Sequence, residues 1–137
     1  MNERRRKKIL ITDDDPTIIE LLQVNLEMEG YDVVSAANGY EAVEKAASES
    51  PDLVILDIMM PKMDGWTARA ELLKSPKTAH LPVIFLSARA QQADLRKGYE
   101  AGVAEYITKP FEPVELLSII EHVLDGTYNR SESPPGY

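Results

Sequence analysis

Leu53-Val54-Ile55-Leu56 is an unbroken apolar run that ends on a carboxylate, Asp57. Four apolar residues in succession, with no polar alternation, fit a strand buried on both faces, as in a parallel sheet covered by helices. Periodicity alone leaves a buried helical turn open, and the flanks favour the strand. Ser50-Pro51-Asp52 bounds the run in front and Met60-Pro61 behind, with Pro61 turning Met60 away from helical geometry. At the end of a central parallel strand, Asp57 stands on the carboxyl edge of the sheet, where open α/β folds place their ligands and chemistry.

The rest of the chain repeats the pattern. Ile9-Leu10-Ile11-Thr12 runs into Asp13-Asp14-Asp15, and Pro16, with Asp15 as its cap, opens a largely apolar helix that Gly30 ends. Tyr31 to Ala36 reads as a shorter, more polar strand, fit for a place nearer the sheet edge. Asn38-Gly39 then turns into a helix carrying Ala42, Val43, Ala46 and Ala47. After Asp57 come a loop over residues 59–65, a helix over about 65–74, and a fourth strand from Leu81 to Ser87. Residues 88–98 hold a weakly apolar helix, Gly102 to Thr108 a short fifth strand, and Glu112-Pro113 opens a last helix ended by Gly126. Strands alternating with helices argue a parallel sheet with right-handed crossovers.

Composition narrows the function classes. A chain of 137 residues with 44% hydrophobic content can bury the core of one domain without staples. It has no cysteine, which removes disulfides, thiolate catalysis and zinc-thiolate sites. No run approaches the ~18 apolar residues of a membrane span. The basic start, Arg4 to Lys8, leads into too short an apolar stretch for a signal peptide, so a cytoplasmic location is expected. Net charge is −8 overall; from residue 9 onward, 10 of the 15 basic and 22 of the 23 acidic residues remain, a net of −12. Such a surface repels a phosphate backbone, so direct nucleic-acid binding is not expected, and the basic arm reads as a solvated extension.

Four strands end in charged or reactive groups: Asp13 and Asp14, Asp57, Ser87, and Lys109. In a parallel sheet those ends share one edge, so residues distant in sequence converge in one shallow pocket. Three carboxylates repel one another, and a hard divalent cation relieves that; oxygen donors point to Mg²⁺ or Mn²⁺ rather than zinc. A carboxylate nucleophile beside a metal, a hydroxyl and an ammonium suits phosphoryl transfer, with Asp57 forming an acyl phosphate.

Asp13-Asp14, Asp57 with Met60-Pro61 and Asp64-Gly65, Ser87-Ala88, and Tyr106 with Lys109-Pro110-Phe111 closely resemble the receiver domain of bacterial two-component response regulators. The resemblance spans about residues 8–125, between a basic arm (1–7) and a tail (126–137). It implies an α/β, flavodoxin-like (βα)5 three-layer sandwich whose five-stranded parallel sheet has the order 2-1-3-4-5. It further implies that Asp57 accepts a phosphoryl group from a phosphohistidine on a sensor histidine kinase or a histidine phosphotransfer protein. Asp13, Asp14, Asp57 and the Met59 backbone carbonyl would hold Mg²⁺, with Asp13 acting mainly through water. Ser87 and Tyr106 would be the switch pair, Lys109 would pair with the phosphoryl group, and Lys109-Pro110 would be a cis peptide. Met59 and Arg89, each two residues past a site group, would tune dephosphorylation.

The resemblance is to the single-domain, chemotaxis-regulator-like class, acting on a downstream protein partner as a monomer or a weak phosphorylation-dependent dimer. Three alternatives stand beside it: a docking module that kept the fold without phosphorylation, a metal-dependent small-molecule phosphatase, and the receiver fragment of a longer transcriptional regulator.

Overall fold

A computed structural model describes residues 6–87, 105–109 and 111–126, with the backbone alone at 105, 106 and 108. Its strands are β1 (Lys8–Thr12), β2 (Asp32–Ala36), β3 (Leu53–Asp57), β4 (Val83–Ser87) and β5 (Glu105–Thr108). They form one parallel sheet in the order β2-β1-β3-β4-β5. The described helices are α1 (Pro16–Met28), α2 (Gly39–Glu49), α3 (Gly65–Leu73) and α4 (Pro113–Asp125).

Strand alternation explains why the apolar runs are continuous. Ile9, Ile11, Leu53, Ile55, Ile84 and Leu86 face one side, where Leu22 and Leu26 of α1 and Leu116 and Ile120 of α4 cover them. Leu10, Val54, Leu56, Val83 and Phe85 face the other, under Ala42 and Ala46 of α2 and Ala68 and Leu72 of α3. Every residue of β3 and β4 is buried, as strands with helices on both faces require. β2, at the edge, is only partly buried.

The helices start where their caps stand. The Asp15, Asn38 and Asp64 carboxyl or amide oxygens accept from the N–H groups of Thr17, Glu41 and Thr67 at 2.9, 3.0 and 2.8 Å, satisfying donors the first turn leaves open. Asn38, expected in a turn, is thus the cap of α2. β4 begins at Val83 rather than Leu81: Pro82 has no N–H for the ladder, although its carbonyl accepts from Val54 N–H at 3.0 Å. The helix expected over residues 88–98, Arg89, the Lys109-Pro110 peptide and the tail from 127 lie outside the described residues. Among the described residues no helix is long and apolar enough to cross a membrane.

Candidate phosphoacceptor site

Register assembles the site. Thr12 pairs with Leu56, Asp57 with Leu86, and Ser87 with Thr108, so each strand end is staggered against the next along one edge. Backbone bonds carry the ladder past the strands: Asp13 N–H to Ala36 O (3.2 Å), Ile58 N–H to Leu86 O (2.9 Å) and Lys109 N–H to Ser87 O (2.6 Å). Asp13, Asp57 and Lys109 therefore hang on hydrogen-bonded backbone, not on free loops.

Carboxylate oxygens of Asp13, Asp14 and Asp57 lie within 4.8 Å of one another. Asp13 and Asp57 are 1% and 3% exposed, whereas Asp14 opens to solvent. Lys109 bridges the two buried acids, its Nζ donating to Asp13 Oδ2 at 2.8 Å and to Asp57 Oδ2 at 3.3 Å. The other oxygens accept backbone donors, Asp13 Oδ1 from Asp15 N–H (2.9 Å) and Asp57 Oδ1 from Met59 N–H (3.3 Å).

Burial, reinforced by the charge of Asp13, raises the Asp57 carboxyl from 3.8 to about 6, against the lowering effect of Lys109 and the Met59 N–H. Burial by itself would lower the Lys109 ammonium, but its hydrogen bond to Asp13 and the charges of Asp57 and Asp13 outweigh it and leave the pKa raised. One ammonium thus serves two buried carboxylates with a third beside them. That surplus of negative charge on oxygen donors suits a hard divalent cation.

The remaining sequence candidates divide. Ser87 ends β4 and is 2% exposed, at the same edge by register. Met59, two residues past Asp57, is 60% exposed, while Met60 and Met63 pack on the core. Tyr106 is placed in β5 by its backbone. Trp66 packs edge-on against Phe85 of β4, ring centroids 4.6 Å apart, so it is a packing residue.

Three features escaped the sequence. Thr12, fully buried one residue before Asp13, has a hydroxyl with no partner among the described residues. A cleft of about 420 Å³ opens beside the acids, lined by Asp13, Asp14, Ile19, Ala36, Glu41 and Lys45. Gly65 starts α3 so close to β3 that a Cβ on it would lie 2.7 Å from Asp57 O and 2.9 Å from Ile58 Cα. Only the last left a trace, as the Asp64-Gly65 pair that follows Asp57.

Fold and site together define a phosphoacceptor of the flavodoxin-like α/β class, built around an acidic centre at the carboxyl edge of a parallel sheet. Residues 9–121 match the response regulator receiver domain, and the chain belongs to that family. It is 42% identical over 120 residues to the DNA-binding dual master transcriptional regulator RpaA of Synechocystis sp., covering 88% of this chain and 50% of that protein. The chain spans about half the length of the curated relatives it matches. Among solved structures, a putative response regulator from Chloroflexus aurantiacus superimposes with a TM-score of 0.83 at 36% identity, over 88% of this chain and 99% of that one. The receiver domain of the sensor histidine kinase PA1611 from Pseudomonas aeruginosa, with a magnesium ion coordinated in its active-site cleft, gives 0.81 at 30% identity, over 88% and 99%.

Proposed function

We propose that Asp57 takes a phosphoryl group from a phosphohistidine on a sensor histidine kinase or a histidine phosphotransfer protein. The observation that carries this reading is the placement of three carboxylates within 4.8 Å, two of them buried and bridged by Lys109. An Asp57 oxygen attacks phosphorus, the P–N bond to the donor imidazole breaks, and an acyl phosphate forms. Asp57 must be ionised to attack, and Lys109 helps keep it so. Once the phosphoryl group is present, Lys109 turns from Asp57 to its oxygens, and buried Ser87 offers a hydroxyl from β4.

Asp13, Asp14, Asp57 and the Met59 backbone carbonyl would hold Mg²⁺, or Mn²⁺, in this site. When bound, that ion neutralises charge on the phosphoryl oxygens and orients the group for in-line transfer. Ser87 and Tyr106 act as the switch pair, and Met59 and Arg89 set access of water to the acyl phosphate. The domain spans 8–125, between a basic arm (1–7) and a tail (126–137).

The output is a change in binding to a downstream protein. Relatives of about twice this length are named as transcriptional regulators, which favours a second reading, a receiver serving a DNA-binding regulator. Incubation with acetyl phosphate and Mg²⁺, followed by intact mass, tests the first step. One added phosphoryl group, absent from Asp57→Asn, is expected; an unmodified wild-type protein overturns the reading.

A further inference from the structure

Gly39 opens α2 with no chemistry of its own, yet it abuts the loop that follows Asp57. A Cβ at Gly39 would lie 2.6 Å from the Met63 carbonyl oxygen and 2.7 Å from Met63 Cβ and Cγ. A backbone oxygen and a first side-chain carbon cannot swing aside as the tip of a long side chain can. Gly39 is itself held firmly: Asn38 caps the helix through Glu41 N–H (3.0 Å), the Asn38 carbonyl accepts from Ala42 N–H (3.0 Å), and Glu41 Oε1 accepts from Ala37 N–H (2.9 Å). The start of α2 is therefore a fixed stop.

The loop over residues 58–64 is pressed from its other end as well. Gly65 sits against the Asp57 and Ile58 backbone, and its N–H donates to Ile58 O at 2.9 Å. Between the two glycine contacts, Met63 N–H donates to Pro61 O at 2.7 Å, and Lys62 adopts a left-handed φ of 70°. Such a conformation in a residue other than glycine persists where its surroundings enforce it. The same loop carries the Met59 N–H that holds Asp57 Oδ1.

We infer that Gly39 is a positioning residue for Asp57: it lets α2 close on Met63, and that contact sets the loop whose Met59 N–H orients the carboxylate. The inference rests on Asp57 being the phosphoacceptor. Displacing a reacting group by about 1 Å can cost on the order of 100-fold in rate, so a loop moved by part of that should slow the reaction by about tenfold.

Gly39→Ala is compared with Gly30→Ala, in the full chain. Gly30 has a φ of +95°, so alanine strains it, but a Cβ there meets nothing within 4 Å and lies away from the loop. Labelling by acetyl phosphate with Mg²⁺ should be about tenfold slower in Gly39→Ala and unchanged in Gly30→Ala, although both lose thermal stability. Amide exchange at Met63 and Gly65 should accelerate only in Gly39→Ala, and Gly39→Ala with Met63→Gly, which removes two of the three close atoms, should recover part of the rate. Equal labelling in Gly39→Ala and wild type, or equal slowing in both alanine variants, overturns the inference. Should Gly39→Ala fail to fold, Met63→Ala withdraws the Cγ contact from the loop side; faster exchange and slower labelling support the contact, and unchanged values overturn it. Exchange is read without phosphoryl donor, so a wild-type protein that takes no phosphoryl group but shows the Gly39-dependent exchange pattern removes the phosphoacceptor reading and leaves the loop contact standing.

Discussion

Opposing electrostatic effects meet at Asp57. Burial and Asp13 hold its carboxyl up at about 6, while Lys109 and the Met59 N–H pull the other way. Because the folded-state value lies above the unfolded one, the fold binds this proton more tightly than the unfolded chain does. The stabilisation is therefore complete below about pH 4 and is lost as pH rises through about 6. The difference between 3.8 and about 6 corresponds to about 3 kcal/mol at full effect. Urea unfolding in the presence of a chelator, from pH 4 to pH 7, should show wild type losing stability relative to Asp57→Asn by up to that amount. A constant difference between the two proteins across this range would contradict the assigned direction.

At the scale of elements, burial on both faces of the sheet is what made the strands legible. β3 and β4 have no solvent side, so their sequences carry no alternation and end visibly where Asp57 and Ser87 reach the edge. Ile55 shows the energetic side of that continuity. It is fully buried among Ile11, Ile84 and the residues of α1 and α4, and Ile55→Ala should cost about 2–5 kcal/mol in urea unfolding. A loss below about 1 kcal/mol would mean that the helices collapse into the space.

Contacts between elements left no such mark in the sequence. Asp13 and Asp14 are neighbours in an acidic run, and only the turn into α1 decides that the first is buried on Lys109 and the second is exposed. Asn38-Gly39 has the composition of a turn, but it caps a helix and receives Met63 from a loop more than twenty residues on. Thr12 reads as an ordinary strand end, yet its hydroxyl is buried without a partner among the described residues, which depends on how α2 and α3 close over the sheet. Local pattern specified the elements and the edge on which the chemistry sits; the contacts that tune the carboxylates arise only when helices and loops meet across it.

At the scale of the whole molecule, the chain carries a net charge of −8. Five of the 15 basic residues stand in the first eight positions, and one of them, Arg6, turns back on the fold, donating to Gly30 O at 3.0 Å and lying 3.3 Å from Asp32. Two cationic effects therefore need separating: general screening of an acidic surface, which any salt supplies, and occupation of the acidic centre, which needs Asp13, Asp14 and Asp57 together. Ligand binding to the folded state alone adds RT ln(1 + [L]/Kd), about 2.7 kcal/mol at 100 times Kd. For a domain of this size that corresponds to a rise in Tm of roughly 5–15 °C. MgCl₂ should accordingly raise the Tm of the wild-type protein several degrees beyond NaCl of equal ionic strength. The excess should fall sharply in Asp13→Asn, whereas the part due to screening should remain. An equal response to both salts in the wild-type protein would show that the surface, not the acidic centre, takes up the cation.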